Sequence, residues 1–169
     1  KDPEYVGRAK AVQAEETARR AGQGSAEVLA QLRKVPGCEN LTWDDVQIAS
    51  TIFAVKPGDG SAREQAASCQ RVLGAGANIV TEYATKRYRS NLINWGMLPL
   101  QLVGATPFGL GDYVFIPNVR AALQGDLQDI KAYVLRSDTA KEFSLYMAPL
   151  TADERKILAD GCLINFYKH

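Results

Sequence analysis

The chain has 169 residues, of which 20 are Lys or Arg and 19 are Asp or Glu, so its formal net charge is +1. The length fits one domain, and the near-neutral charge argues against a nucleic-acid partner that depends on a strong positive field. The only histidine is His169, which argues against Ser-His-Asp catalysis, Cys-His catalysis and histidine zinc sites. No apolar run approaches the ~20 residues that a bilayer span needs, so we expect no membrane partner.

Apolar periodicity and turn residues divide the chain into alternating helices and strands. The predicted helices cover residues 2–21, 25–32, 61–73, 84–95, 119–123 and 151–159. The predicted strands cover residues 46–55, 77–80, 98–103 and 113–117, followed by a hairpin of 129–136 and 141–147. The strand 46–55 is rich in β-branched residues and is predicted to be buried. This alternation predicts an α/β fold with a mainly parallel core sheet flanked by helices, with an antiparallel addition. We divide the chain into a helical appendage, 1–40, and a main domain, 41–169.

The three cysteines, Cys38, Cys69 and Cys162, are too widely spaced for a CxxC pair. An odd number of cysteines without a signal-peptide pattern predicts reduced thiols in a cytoplasmic protein. We expect all three to be buried as small hydrophobic side chains and to bind no metal. Because the chain begins with Lys1 and not Met, we interpret it as a fragment of a longer protein.

The turn after the first predicted strand is the segment that most suggests chemistry. It reads Gly58-Asp59-Gly60-Ser61-Ala62-Arg63 and leads into a predicted helix. Glycines let a ligand approach the backbone, and a helix N-terminus offers N–H groups that bind anions. A guanidinium adds a two-point partner for a carboxylate. The turn lacks the Gly-Lys-Ser/Thr ending of a P-loop, which argues against ATP. Ser61 and Glu64 also have capping-box spacing, so a purely structural role for Ser61 stays open.

A second candidate is the basic and aromatic segment around Lys86, Arg87 and Arg89. Three cations and two tyrosines within seven positions could follow a phosphate backbone. Because the chain as a whole is neutral and has one such cluster, we favour a solvated or substrate-facing helix surface. Spacing alone does not choose between these two.

Two separated motifs resemble the swivel domain of the aconitase superfamily. Residues 58–67, Gly-Asp-Gly-Ser-Ala-Arg-Glu-Gln-Ala-Ala, resemble its Gly-x-Gly-Ser-Ser-Arg-Glu signature. Residues 90–100 resemble its Asn-Leu-x-x-x-Gly-Leu-Leu-Pro segment, and residues 158–167 are similar to the ending of some members. The order and separation of the motifs match as well. The resemblance spans residues 47–168 and implies a swivelling domain of the β/β/α type.

The resemblance also implies a function. The parent would be a [4Fe-4S] hydro-lyase that dehydrates and rehydrates a hydroxy di- or tricarboxylic acid. Its cluster is expected on a partner domain or subunit, with none bound by this chain, which alone is expected to be inactive. Carried over residue by residue, Ser61 would be the base and Arg63 the carboxylate clamp. Gly60 and Ala62 would be further substrate-binding positions.

The sequence departs from the family pattern at Ala62, where a second serine is frequent, and so lacks one hydroxyl near the substrate. Residues 1–40 also lie outside the usual pattern. Two alternatives stay open. One is a non-catalytic swivel-fold module that binds protein or RNA through residues 1–40 and the basic cluster 86–89. The other is a relative whose parent has lost the cysteines of the cluster and no longer performs hydration.

Overall fold

A computed structural model describes residues 2–168, so Lys1 and the histidine His169 lie outside the described residues. The helices are α1 Tyr5–Arg20, α2 Ala26–Leu32, α3 Arg63–Val72, α4 Lys86–Asn94, α5 Val119–Gln124, α6 Ala152–Asp160 and α7 Leu163–Phe166. The strands are β1 Ser50–Ala54, β2 Ala75–Val80, β3 Leu98–Gln101, β4 Tyr113–Phe115, β5 Ile130–Arg136 and β6 Thr139–Leu145. A 3₁₀ turn covers Trp43–Asp45.

The strands form two three-stranded sheets. The first is parallel in the order β1-β2-β3, and the second is antiparallel in the order β4-β5-β6. An antiparallel bridge between Gln101 and Tyr146 connects the end of β3 to the residue that follows β6. The α3 and α4 helices are the crossover connections that parallel neighbours require. The α/β fold with a parallel sheet and an antiparallel addition is therefore confirmed.

The first strand differs from its prediction in length and in burial. β1 begins at Ser50, so residues 46–49 are not part of it. Half-buried residues alternate along it with exposed ones, and Phe53 is 42% exposed. The prediction of a buried strand was wrong, because every second side chain of β1 is exposed and the strand lies at the edge of its sheet, paired with β2 alone.

The largest apolar cluster joins the two sheets and the helices around them. Its fully buried members include Ile79, Ile93, Leu100, Leu145 and Met147. Four of them lie on β2, α4, β3 and β6, and Met147 lies two residues after the end of β6, so both sheets share this core. At about 1.5–3 kcal/mol for each large apolar side chain, this burial is the main force that holds the sheets together.

The N-terminal segment packs onto the same body. Leu32, Val35 and Cys38 are buried against Tyr133 and Leu135 of β5. The predicted helices 2–21 and 25–32 are present as α1 and α2, and the segment that follows them shares a hydrophobic cluster with the antiparallel sheet. The domain boundary at residue 40 stays a prediction.

The hairpin and the helix predicted near the C-terminus are present, with bounds that differ by one or two residues from the prediction. Thr151 and Glu154 form the predicted capping box of α6, with N···O distances of 3.2 Å and 2.9 Å. The hairpin turn is tighter than predicted, because β6 already begins at Thr139. The short helix α7 was not predicted.

The three cysteines are free thiols in different surroundings. Cys38 is buried, Cys162 is half-buried and Cys69 is exposed on α3. The expectation of buried cysteines is therefore confirmed for Cys38 and wrong for Cys69, which lies on the solvent side of its helix. Within residues 2–168, no helix combines the length and the hydrophobicity that a bilayer crossing requires.

Candidate active site

The turn 57–62 lies at the carboxyl end of the parallel sheet. It connects β1, which ends at Ala54, to α3, which begins at Arg63. Ligands of open α/β sheets bind at this edge, because the loops that follow parallel strands converge there. Gly60, Ser61 and Ala62 are exposed, whereas Arg63 is half-buried. The turn is therefore open to a ligand.

Two glycines of the turn have different surroundings. Gly58 has a φ of +97°, and a Cβ built on it would lie 2.5 Å from the Cβ of the buried residue Tyr88. Only glycine fits this close approach to α4. No atom lies within 4 Å of a Cβ built on Gly60, so that position borders open space.

The guanidinium of Arg63 is oriented by its own turn. Its Nε donates to the carbonyl oxygen of Gly58 at 3.1 Å. The same oxygen accepts from the hydroxyl of Thr85 at 3.0 Å. In the part of the chain that the structure describes, no carboxylate lies within ion-pair distance of Arg63. Its Nη groups are thus available for a ligand carboxylate.

Ser61 does not cap α3. The N-cap residue is Ala62, which has no side chain that can accept a hydrogen bond. Ser61 lies one residue earlier on an exposed bend, and its hydroxyl makes no hydrogen bond to any of residues 2–168. The capping-box interpretation of Ser61 and Glu64 is therefore wrong. The serine hydroxyl is accessible, but the structure does not bring it into contact with the N–H groups of the helix.

Glu64 binds α4 instead. Its Oε1 accepts from Trp95 Nε1 at 2.6 Å. The side-chain amide of Asn91 satisfies its neighbours in one orientation. In it, the amide nitrogen donates to Glu64 Oε2 at 3.1 Å and the amide oxygen accepts from the Glu64 main-chain N–H at 3.1 Å. These contacts join the two motifs of the sequence, 58–67 and 90–100. The contact between Glu64 and Asn91 was not predicted, although each residue stands at a signature position of its motif.

The basic cluster divides into two parts. Lys86 and Arg87 are exposed in the first turn of α4, directly after Thr85, whose hydroxyl contacts the turn. Arg89 is half-buried, and its Nη2 donates to the carbonyl oxygens of Ala148 and Pro149 at 2.8 Å and 3.0 Å. Arg89 thus connects α4 to the segment that leads into α6. A substrate-facing role stays a prediction for all three cations.

Tyr88 anchors α4 beneath the turn. Its hydroxyl accepts from Asn78 Nδ2 at 2.9 Å and from Gln70 Nε2 at 3.0 Å. Asn78 is fully buried on β2, and Gln70 lies on α3. A polar cluster centred on the buried Tyr88, whose side chain also packs against Gly58, therefore connects α3 and α4 to β2.

Comparison with known proteins assigns the family. The family model of the aconitase C-terminal domain matches residues 18–104, more than half of the chain. The chain belongs to this family. The match includes both motifs and begins within α1, well before residue 47, where the resemblance in the sequence starts. No curated protein matches the chain.

A solved structure gives the same assignment. The crystal structure of 3-isopropylmalate dehydratase (leuD) from Methanocaldococcus jannaschii is 29% identical to this chain, with a TM-score of 0.54. The similarity covers 77% of this chain and 69% of the other. The chain is the swivel domain of an aconitase-like hydro-lyase, as the two motifs predicted.

Proposed function

We propose that the turn 57–62 and Arg63 form the carboxylate-binding half of an active site, and that a partner supplies the other half. The complete enzyme dehydrates and rehydrates a hydroxy di- or tricarboxylic acid. The observation that carries this proposal is Arg63, whose Nε is bound by Gly58 while its Nη groups have no carboxylate partner among the described residues. An arginine in this state, next to an open turn at the carboxyl edge of a parallel sheet, suits a carboxylate ligand.

The other residues of the turn take complementary roles in this proposal. Gly60 and Ala62 leave space and main-chain N–H groups for the substrate. Ser61 supplies the hydroxyl that removes a proton beside a carboxylate. Because a serine hydroxyl has an intrinsic pKa far above 7, each unit of lowering requires about 1.4 kcal/mol of preferential stabilisation of the anion. An exposed turn does not provide this, so the proposal requires a partner that closes over Ser61 and excludes water.

The [4Fe-4S] cluster belongs on that partner in this proposal. Residues 2–168 contain no group of three His, Cys, Asp or Glu side chains that could bind a metal. Cys38, Cys69 and Cys162 also belong to different parts of the fold, before the 3₁₀ turn, on α3 and between α6 and α7. The described residues of this chain therefore do not fit a cluster. The partner is a cluster-bearing aconitase core, as a fused domain or a separate subunit.

The substrate class follows from the clamp and from the similar structure. That structure is of a 3-isopropylmalate dehydratase, and we propose an acid of the same kind, with at least one carboxylate for Arg63. Lys86 and Arg87 are proposed to face the same substrate from the first turn of α4. The three free thiols are typical of a reducing compartment, and we propose a cytoplasmic location.

The test is a conservative substitution of the clamp in the complete enzyme, that is, this chain with its cluster-bearing partner. Arg63→Lys keeps the charge but loses the two-point geometry, so we expect KM for 3-isopropylmalate to rise at least about tenfold. Arg120→Lys, at an exposed position on α5, is the matched control and should leave KM unchanged. This chain alone should show no turnover. Equal KM values for Arg63→Lys and wild type, or activity without the partner, would contradict the proposal.

A further inference from the structure

We propose that Thr85 is a positioning residue for Arg63. The inference rests on the proposed function, in which Arg63 binds a carboxylate of the substrate. Its basis is one shared acceptor: the carbonyl oxygen of Gly58 accepts from Arg63 Nε at 3.1 Å and from Thr85 Oγ1 at 3.0 Å. Thr85 is the N-cap residue of α4.

The hydroxyl of Thr85 both accepts and donates a hydrogen bond in this position. It accepts from the main-chain N–H of Tyr88 at 3.2 Å, as the N-cap of α4. Since an N–H only donates and a carbonyl oxygen only accepts, the single O–H proton must point to Gly58. An N-cap needs an acceptor alone, so the donation to Gly58 is a contact beyond what the helix requires.

This contact fixes the turn at the point where it meets Arg63. Gly58 has a left-handed φ of +97° and packs against the side chain of Tyr88. Thr85 supplies a polar contact between the Gly58 carbonyl and α4. Because the guanidinium is planar and rigid, the bond at Nε also sets the plane in which the Nη groups lie. The position of the Gly58 oxygen therefore determines where Arg63 presents its two-point face.

The first test is kinetic and uses the complete enzyme. Thr85→Val keeps the shape of the side chain but loses the hydroxyl, and we expect KM for the carboxylate substrate to rise about tenfold with a smaller change in kcat. Thr85→Ser keeps the hydroxyl and should stay within about twofold of wild type. Thr151→Val removes the same kind of cap, with the same N···O distance of 3.2 Å, from α6. It should lower stability as Thr85→Val does and leave KM unchanged.

Two kinetic results would overturn the inference. One is a wild-type KM in Thr85→Val, and the other is an equal rise of KM in Thr151→Val, which would show that loss of a helix cap alone explains the effect.

The second test does not depend on turnover. In this chain alone, the Arg63 Nε–H proton should exchange slowly with water in wild type and Thr85→Ser, and faster in Thr85→Val, by ¹H–¹⁵N spectroscopy. If the Arg63 Nε–H proton in wild type exchanges as fast as the Nε–H proton of the exposed Arg120, the inference is wrong, regardless of the KM of Arg63→Lys. If the expected exchange pattern appears but Arg63→Lys has a normal KM, the proposed function fails while the contact between Thr85 and the turn stands.

Discussion

At the scale of single residues, Ser61 and Ala62 are neighbours but take different positions at the start of α3. Ser61 is exposed on the turn, whereas Ala62 occupies the N-cap itself. A serine at an N-cap accepts an N–H bond from the first turn of its helix, and alanine cannot. The residue that we propose as base and the position best placed to contact the helix N–H groups are therefore adjacent but different.

Substitution at each position distinguishes their roles. We expect Ser61→Ala to lower kcat of the complete enzyme at least about 100-fold, because the base is lost. Ala62→Ser should raise the free energy of unfolding by about 0.5–1 kcal/mol through a new cap. Turnover assays and urea unfolding measure the two effects. A wild-type kcat in Ser61→Ala would show that our assignment of Ser61 as the base is wrong.

At the scale of elements, α4 contacts both ends of the site segment. Thr85 binds the turn at Gly58, and Asn91 with Trp95 binds Glu64 in the first turn of α3. The Asn91 amide satisfies both a carboxylate oxygen and a main-chain N–H that the helix leaves without an internal partner. The geometry of the site therefore depends on how α3 and α4 pack.

Asn91→Asp tests this packing. The substitution removes the donor and places a second carboxylate beside Glu64, so we expect the free energy of unfolding to fall by about 1 kcal/mol. Asn94→Asp, at the end of the same helix, adds the same charge where the helix dipole also disfavours it, but has no side-chain hydrogen bond to lose and should cost less. Urea unfolding followed by tryptophan fluorescence measures both. Equal losses for the two variants would show that the contact with Glu64 contributes nothing.

The order of elements was predictable from sequence because caps, glycines and periodicity act locally. Thr151 and Glu154 show this, since both partners of the capping box lie within one turn. The predicted strand 46–55 was too long, because the apolar residue Val46 does not belong to β1. It packs against the cluster that contains Tyr133 of the other sheet. The motif residues 58–63 were likewise readable from local turn chemistry. The contacts of Thr85 and Asn91 were not, because each joins residues 27 positions apart that only the packing of α4 brings together.

At the scale of the whole molecule, α1 connects parts that are distant in the chain. Glu15 accepts from the hydroxyl of Tyr113 on β4 at 2.7 Å. Gln13 donates to the carbonyl oxygen of Val72 at the end of α3. Glu16 is buried and accepts from the main-chain N–H of Ile48, just before β1. The N-terminal helix therefore contacts both sheets and the helix that begins at the site.

The charge of Glu16 makes this connection sensitive to pH. Burial by itself raises the pKa of Glu16, but hydrogen bonds from Arg19, Ile48 and Arg20 outweigh it and lower the pKa from 4.5 to about 2. Because the folded-state pKa is depressed, the stabilisation is complete above about pH 5 and is lost as the pH falls toward 2. By linkage, it amounts to about 3 kcal/mol at neutral pH.

Glu16→Gln tests the size and the pH dependence of this contribution. The variant should be less stable than wild type at pH 7, by up to the amount that linkage gives, and the difference should shrink steadily between pH 5 and pH 3. Gln13→Ala removes an uncharged hydrogen bond of the same helix, from Gln13 to the carbonyl oxygen of Val72, and is the control: its difference from wild type should not change with pH. Urea unfolding at each pH measures the differences. A difference between Glu16→Gln and wild type that stays constant from pH 7 to pH 3 would mean that the hydrogen bonds, and not the carboxylate charge, connect α1 to the sheet.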